Sequence, residues 1–116
     1  MPSRSFLRRL QDVVAEIEVI ESMTQGLTYQ QFSDNPQVLR ATLYSIAVIG
    51  EAISSVINDL EALDSSIPWF QIRGLRNRVI HEYFQVDSEV IWETLHSDLP
   101  ILKKSLTDIL ESYPSA

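Results

Sequence analysis

The chain has 116 residues, 45% of them apolar, enough to bury one compact core and with no compositional sign of disorder. Nine Lys and Arg stand against 16 Asp and Glu, a formal charge of -7, which argues against a general nucleic-acid coat or an anionic-membrane binder and confines any polyanion site to a local patch. With no cysteine, disulfides, thiolate metal sites and a thiol nucleophile are excluded, and the cytoplasm fits best.

The N-terminus, MPSRSFLRRLQDVV, meets Asp12 before any long apolar run develops and does not read as a secretory signal. Glycine and proline are sparse, at 3 and 5, and apolar residues recur at helical spacing throughout, which predicts an all-α chain. A first helix over Arg4 to Gln25 places Phe6, Leu10, Val13, Ile17 and Ile20 on one face, and Gly26 stops it. A connector containing TYQQFSDNP follows. The second helix is predicted from Pro36 to Leu63, behind the capping candidates Ser33, Asp34 and Asn35.

Leu39, Leu43, Ile46, Gly50, Ile53, Ile57 and Leu60 line one face of that helix, with Val38, Ile49, Ala52 and Val56 on a second, so it is expected at the centre of the fold. Its most apolar window, ATLYSIAVIGEAISSVI, is shorter than the roughly 20 residues of a membrane span and carries Glu51, so a buried helix and no membrane contact are predicted. DSSIPWF supplies the next cap and a first-turn proline. The third helix then carries Trp69, Ile72, Leu75 and Val79 inward and continues through GLRNRVIHEYF, Gly74 to Phe84. Asp87 or Ser88 caps a fourth helix bearing Val90, Ile91, Leu95, Leu99, Leu102, Leu106, Ile109 and Leu110, which Pro100 is expected to kink or split. Without repeats or linkers, residues 1–116 form a single domain, an antiparallel four- to five-helix bundle.

Charge is unevenly spread. Trp69 to Val86 holds Arg73, Arg76 and Arg78 against Glu82 alone, a net +2, whereas the rest of the chain is -9. A guanidinium grips two phosphate oxygens with a planar fork of donors, and His81, with an ordinary imidazole pKa of about 6.5, exchanges protons near neutral pH. Those two groups suffice for RNA cleavage without a metal. The histidine removes the proton of the 2′-hydroxyl, which attacks the adjacent phosphorus, and the arginine stabilises charge growing on the phosphoryl oxygens. From composition and spacing alone, a solvated arginine face with a surface histidine is the favoured account.

Other residues carry two readings as well. Arg78 pairs with Glu82 at i,i+4 or contacts an RNA phosphate; Arg73, one turn before Arg76, extends an RNA track or is solvated. Glu51 is a charge partner for Arg76 or Arg73, or part of a solvent-facing seam with Arg40, Tyr44 and Ser55. Trp69 and Trp92 fit core or dimer packing better than base stacking. Glu93 and His96 have the Glu-x-x-His spacing of bundle di-iron sites, which need two such motifs; this chain has one, so no metal is expected, and His96 reads as an exposed or capping residue beside Pro100.

RNRVIHEYF, with Arg76, His81 and Tyr83 in the pattern R-x(4)-H-x-Y, resembles the signature of HepT toxins, a branch of the HEPN ribonuclease superfamily. IGEA at Ile49 to Ala52, IPWFQIRGLRNRVIHEYF at Ile67 to Phe84 and VIWETLHSDLP at Val90 to Pro100 resemble the family in order and spacing. The resemblance implies a HEPN-like helical homodimer, a metal-independent endoribonuclease without cofactor, and a type VII toxin encoded beside an MntA-like nucleotidyltransferase antitoxin. Arg76 and His81 become the catalytic pair, Asn77 and Glu51 supporting residues, Arg73 and Arg78 phosphate contacts, and Tyr83 the tyrosine that the antitoxin modifies with AMP. Such a group adds charge and bulk that block RNA. Alternatively, the same groove serves a non-catalytic helical dimer that binds a nucleotidyltransferase or a nucleotide.

One geometric difficulty is legible beforehand. On an ideal helix Arg76 and His81 stand about 140° apart and about 7.5 Å along the axis, not on one face, whereas Arg76 and Tyr83 are nearly eclipsed. Either the helix loosens near Ile80 to Glu82, Arg76 reaches around it, or a second subunit completes the cleft.

Overall fold

The first helix, α1 (Arg4–Thr24), starts where the Ser3 hydroxyl accepts the Phe6 N–H at 3.0 Å. It ends before Gly26, whose φ of 79° is a left-handed conformation that side-chain-bearing residues rarely adopt. The structure, a computed structural model, describes residues 2–81 and 85–113, and at Arg76, Ile80, His81 and Gln85 the backbone alone. All five apolar residues expected on the inner face of α1 are buried, with Leu7 beside them. The connector contains a helix not anticipated, α2 (Tyr29–Ser33). Thr28 and Gln31 cap it reciprocally, side chain to backbone in both directions, and Phe32 drops into the core.

The central helix is α3 (Pro36–Leu63), with Asn35 as its cap: the side-chain oxygen accepts the Val38 N–H at 3.1 Å. It packs against α1 on one side and against α4 and α5, defined below, on the other, which is why it is apolar on two faces. Non-helical angles at Val56 (φ -128°, ψ 17°) bend it just after the Ser54–Ser55 pair, and the Ser55 hydroxyl donates to the Ala52 carbonyl at 2.7 Å, a local bond that competes with the helical ladder. By length and hydropathy α3 would suffice to cross a membrane, contrary to the shorter window expected, but half of its most apolar 18-residue stretch is buried inside the fold, as in a core helix.

The third helix departs from expectation. Instead of running on through GLRNRVIHEYF it is two short helices, α4 (Trp69–Arg73) and α5 (Leu75–Val79), divided at Gly74. Pro68 precedes α4 rather than occupying its first turn, and Trp69 is fully buried with its indole N–H donating to the Asp64 carbonyl at 2.7 Å. Helix α5 stops because the Val79 carbonyl accepts from the Asp87 N–H at 2.9 Å, and the chain continues as a minimal antiparallel ladder, β1 (Ile80–His81) against β2 (Gln85–Val86), with Ile80 opposite Val86 and His81 opposite Gln85. Adjacent β-branched residues, Val79 and Ile80, suit that change.

Asp87 caps α6 (Ser88–Glu93), accepting the Val90 N–H at 3.1 Å, and the Ser88 hydroxyl meets Tyr29 at 2.9 Å and Ser33 at 3.3 Å, holding α6 to α2. The break expected at Pro100 takes the form of a π-helical turn over Thr94–Asp98, leading straight into α7 (Leu99–Glu111). Proline has no N–H and its ring crowds the carbonyl four residues back; the widened turn, with Leu99 N–H reaching Thr94 O, makes room for it. Lys103 of α7 bridges to Glu21 at 2.8 Å and Glu18 at 3.7 Å on α1, and the hydrogen bond to Glu21 raises the pKa of its ammonium.

The result is an all-α bundle around one hydrophobic cluster, to which α1, α3, the α4–α5 pair and α6–α7 contribute. Two positions in α3 test the packing in opposite senses. A Cβ at Gly50 would lie 3.1 Å from the Arg73 carbonyl oxygen, so the branched side chain of Gly50→Val is expected to destabilise by about 1–3 kcal/mol, seen as a lower urea midpoint. The Thr42 hydroxyl is fully buried without a hydrogen-bond partner among the described residues, so Thr42→Val is expected to leave that midpoint unchanged or to raise stability by up to about 1 kcal/mol.

Candidate active site

Buried Trp69, Ile72, Leu75 and Val79 anchor α4 and α5, which leaves the opposite edge of this pair open to solvent. Phe70, Arg73, Asn77 and Arg78 are exposed along it. Gly50 allows α4 to approach α3 closely, and beside this crossing lies a small open cleft of about 180 Å³ lined by Ala47, Gly50, Glu51, Ser54, Arg73 and Asn77. The structure therefore brings together three of the residues singled out from sequence: Glu51, Arg73 and Asn77.

Their contacts are not those expected. Glu51 is exposed, as are Arg40, Tyr44 and Ser55, so the solvent-facing seam is observed. It also borders a wider cleft of about 490 Å³ between α1 and α3, with Arg9 and Asp12 on the far side. The ion pairs among the described residues join Arg78 to Asp98, Lys103 to Glu18 and Glu21, and Lys104 to Asp108. The Arg73 guanidinium lies instead over the ring of Phe70, 5.1 Å from its centroid. Arg78, expected to pair with Glu82, has its described partner at Asp98, 3.8 Å away; with side chains 48% and 40% exposed, that pair holds Arg78 loosely. Glu82 lies outside the described residues.

Arg76 sits in the middle of α5, and His81 is the last residue of β1, paired in the ladder with Gln85; their side chains, and Tyr83 altogether, lie outside the described residues. The backbone nonetheless changes the terms of the spacing problem. Because α5 ends at Val79, His81 is not on the helix of Arg76 and the 140° separation does not apply. The same break removes the helical argument that Arg76 and Tyr83 are eclipsed, since that required a helix through residue 83.

Among the aromatic candidates, Trp69 is core. Trp92 is half-buried, with Tyr29, Phe32 and His96 ring centroids at 5.8, 5.2 and 4.3 Å. His96 is exposed, and its Nδ1 hydrogen-bonds the Trp92 carbonyl at 2.8 Å; Glu93, the other half of the Glu-x-x-His spacing, is exposed too. Sequence inspection overlooked Phe70. The available signal was its i,i+3 spacing to Arg73 beside a tryptophan that the helical pattern turns inward.

The chain is similar to known proteins over most of its length. Residues 14–109 match the family described as Ribonuclease HepT-like. A protein of Caldanaerobacter subterraneus subsp. tengcongensis, named provisionally as an RNase, is 33% identical over 102 residues, covering 88% of this chain and 91% of its own. One from Thermococcus cleftensis, named provisionally as ribonuclease HepT, is 35% identical over 100 residues, 86% of this chain and 91% of its own. A third, from Methanocaldococcus jannaschii and also named provisionally as an RNase, is 31% identical over 111 residues, 96% of both chains. No solved structure matches the chain significantly. The matched span takes in α3, the open edge of α4–α5 and the β1–β2 ladder, and the chain belongs to the HepT-like ribonuclease family, with ribonuclease the activity that membership brings.

Proposed function

We propose that the chain is the toxin of a HepT/MntA-like toxin–antitoxin pair of type VII, a cytoplasmic, homodimeric, metal-independent endoribonuclease. Family membership supports the ribonuclease activity, and the observation that carries the catalytic assignment is the end of α5 at Val79, which takes His81 off the helix that bears Arg76. His81 removes the proton from the ribose 2′-hydroxyl. The 2′-oxygen then bonds to the adjacent phosphorus as the bond to the 5′-oxygen breaks, and the imidazolium returns its proton to that leaving oxygen. Arg76 stabilises the charge on the non-bridging oxygens, Asn77 and Glu51 support the site, and Arg73 and Arg78 attract the phosphate chain. A nucleotidyltransferase antitoxin adds AMP to Tyr83, placing negative charge beside a site that must receive RNA.

The purified protein is expected to cut single-stranded RNA in EDTA. Changing His81→Ala should lower kcat by about 10²–10⁴-fold, the usual contribution of a general acid–base, and Arg76→Ala by about 10²–10³-fold. Cutting that survives both substitutions would overturn the assignment. For the switch, incubation with the nucleotidyltransferase and ATP should add AMP to Tyr83, read by peptide mass spectrometry. Neutralised toxicity with an unmodified Tyr83 would replace modification by sequestration.

A further inference from the structure

We infer that Phe70, with the Arg73 guanidinium laid over it, is a stacking platform for an unpaired base of the RNA substrate, an assignment that rests on the ribonuclease reading above. Phe70 is 54% exposed, while its neighbour Trp69 is fully buried, so packing of α4 accounts for the tryptophan and not for the phenylalanine. A large apolar ring left in water beside a charged side chain has a use when a ligand offers both a π-face and negative charge. A nucleotide offers both.

Position supports that occupant. The 5.1 Å contact holds Arg73 at the lip of the small cleft that Asn77 also lines, three residues before Arg76 in sequence. Aromatic ring, guanidinium and amide thus run along one edge toward the proposed catalytic segment. Stacking needs an unpaired base, because a duplex buries the base faces against one another, so the substrate class is single-stranded RNA. A docked protein would also cover an exposed phenylalanine, but the charge of this edge favours the polyanion: residues 69–86 are net +2 in a chain of -7. Glu51, on the same cleft, repels phosphate and accepts N–H groups from a base edge, which suits a base rather than a phosphate beside it.

In this arrangement Phe70 contributes to substrate binding and not to the chemical step, so its substitution should divide the kinetic constants unevenly. Replacing Phe70→Leu is expected to raise KM for single-stranded RNA about tenfold with kcat little changed, and Phe70→Trp to restore it, since stacking of one base contributes about 1–3 kcal/mol. A second readout does not depend on catalysis. In the His81→Ala background, indole emission introduced by Phe70→Trp should be quenched saturably by an unpaired oligoadenylate, and neither by inorganic polyphosphate nor by duplex RNA. An unchanged KM for Phe70→Leu on RNA that the wild type cuts would overturn the platform, and if the same variant lost a protein partner, a protein would take its place. Emission indifferent to oligoadenylate would overturn it equally. Should the wild type cut no RNA while oligoadenylate still quenches the Phe70→Trp emission, the platform stands and the ribonuclease reading fails.

Discussion

At the crossing of α3 and α4 the Arg73 carbonyl oxygen comes within 3.1 Å of the point where a Cβ on residue 50 would stand, and glycine alone leaves that space empty. The rest of the site follows from this contact. With α4 seated so closely, Trp69, Ile72, Leu75 and Val79 reach the core, and the side of α4–α5 left over is the one that carries Phe70, Arg73 and Asn77. The helix that supplies Gly50 also supplies Ile46, Ile49, Ile53 and Leu60 to the centre of the core, so the open edge stands on the best-buried part of the molecule. Such support suits a nuclease, whose charged groups must already be in position when the transition state forms.

The basic edge is narrower than its arginines suggest. Arg78 is turned toward Asp98, and both side chains are substantially exposed, so their attraction is weakened by water and salt. Arg73 lies against an aromatic ring instead of a carboxylate, which keeps its charge available to an anion. Outside residues 69–86 the chain is net -9, a charge that repels polyanions.

Features set by short-range rules were legible in the sequence, and those set by partners distant in the chain were not. The spacing from Leu39 to Leu60 announced a central helix, Asn35–Pro36 its start, and Gly26 the end of α1, because capping and periodicity involve residues within one or two turns. The Thr28–Gln31 capping box of α2 was present as well, but a five-residue helix has too few positions for a period to show. The end of α5 was hidden for a different reason. Its inward spacing gives no sign of stopping, and the bond that stops it comes from Asp87, eight residues later. Likewise Arg78 finds Asp98 twenty residues away, whereas Arg73 and Phe70 meet at a spacing visible in any helical projection. The pairing of Arg76 with His81 rests on resemblance to a family motif, since ideal-helix geometry argued against it.

The N–H of Asp87 closes the chain back onto Val79, and its carboxylate begins α6 by accepting from Val90. Between Val79 and Asp87, then, both ends of the segment are tied to helices, and its length is part of the structure. An insertion within either strand would change the register of the ladder, and a one-residue slip turns every side chain of a strand to the opposite face. Length changes within the family should therefore avoid the two strands, with gaps collecting at sites such as the Gly26 turn. Constant spacing between the motif arginine and the helix that follows would then record a mechanical constraint, separate from any chemical demand on the residues between them.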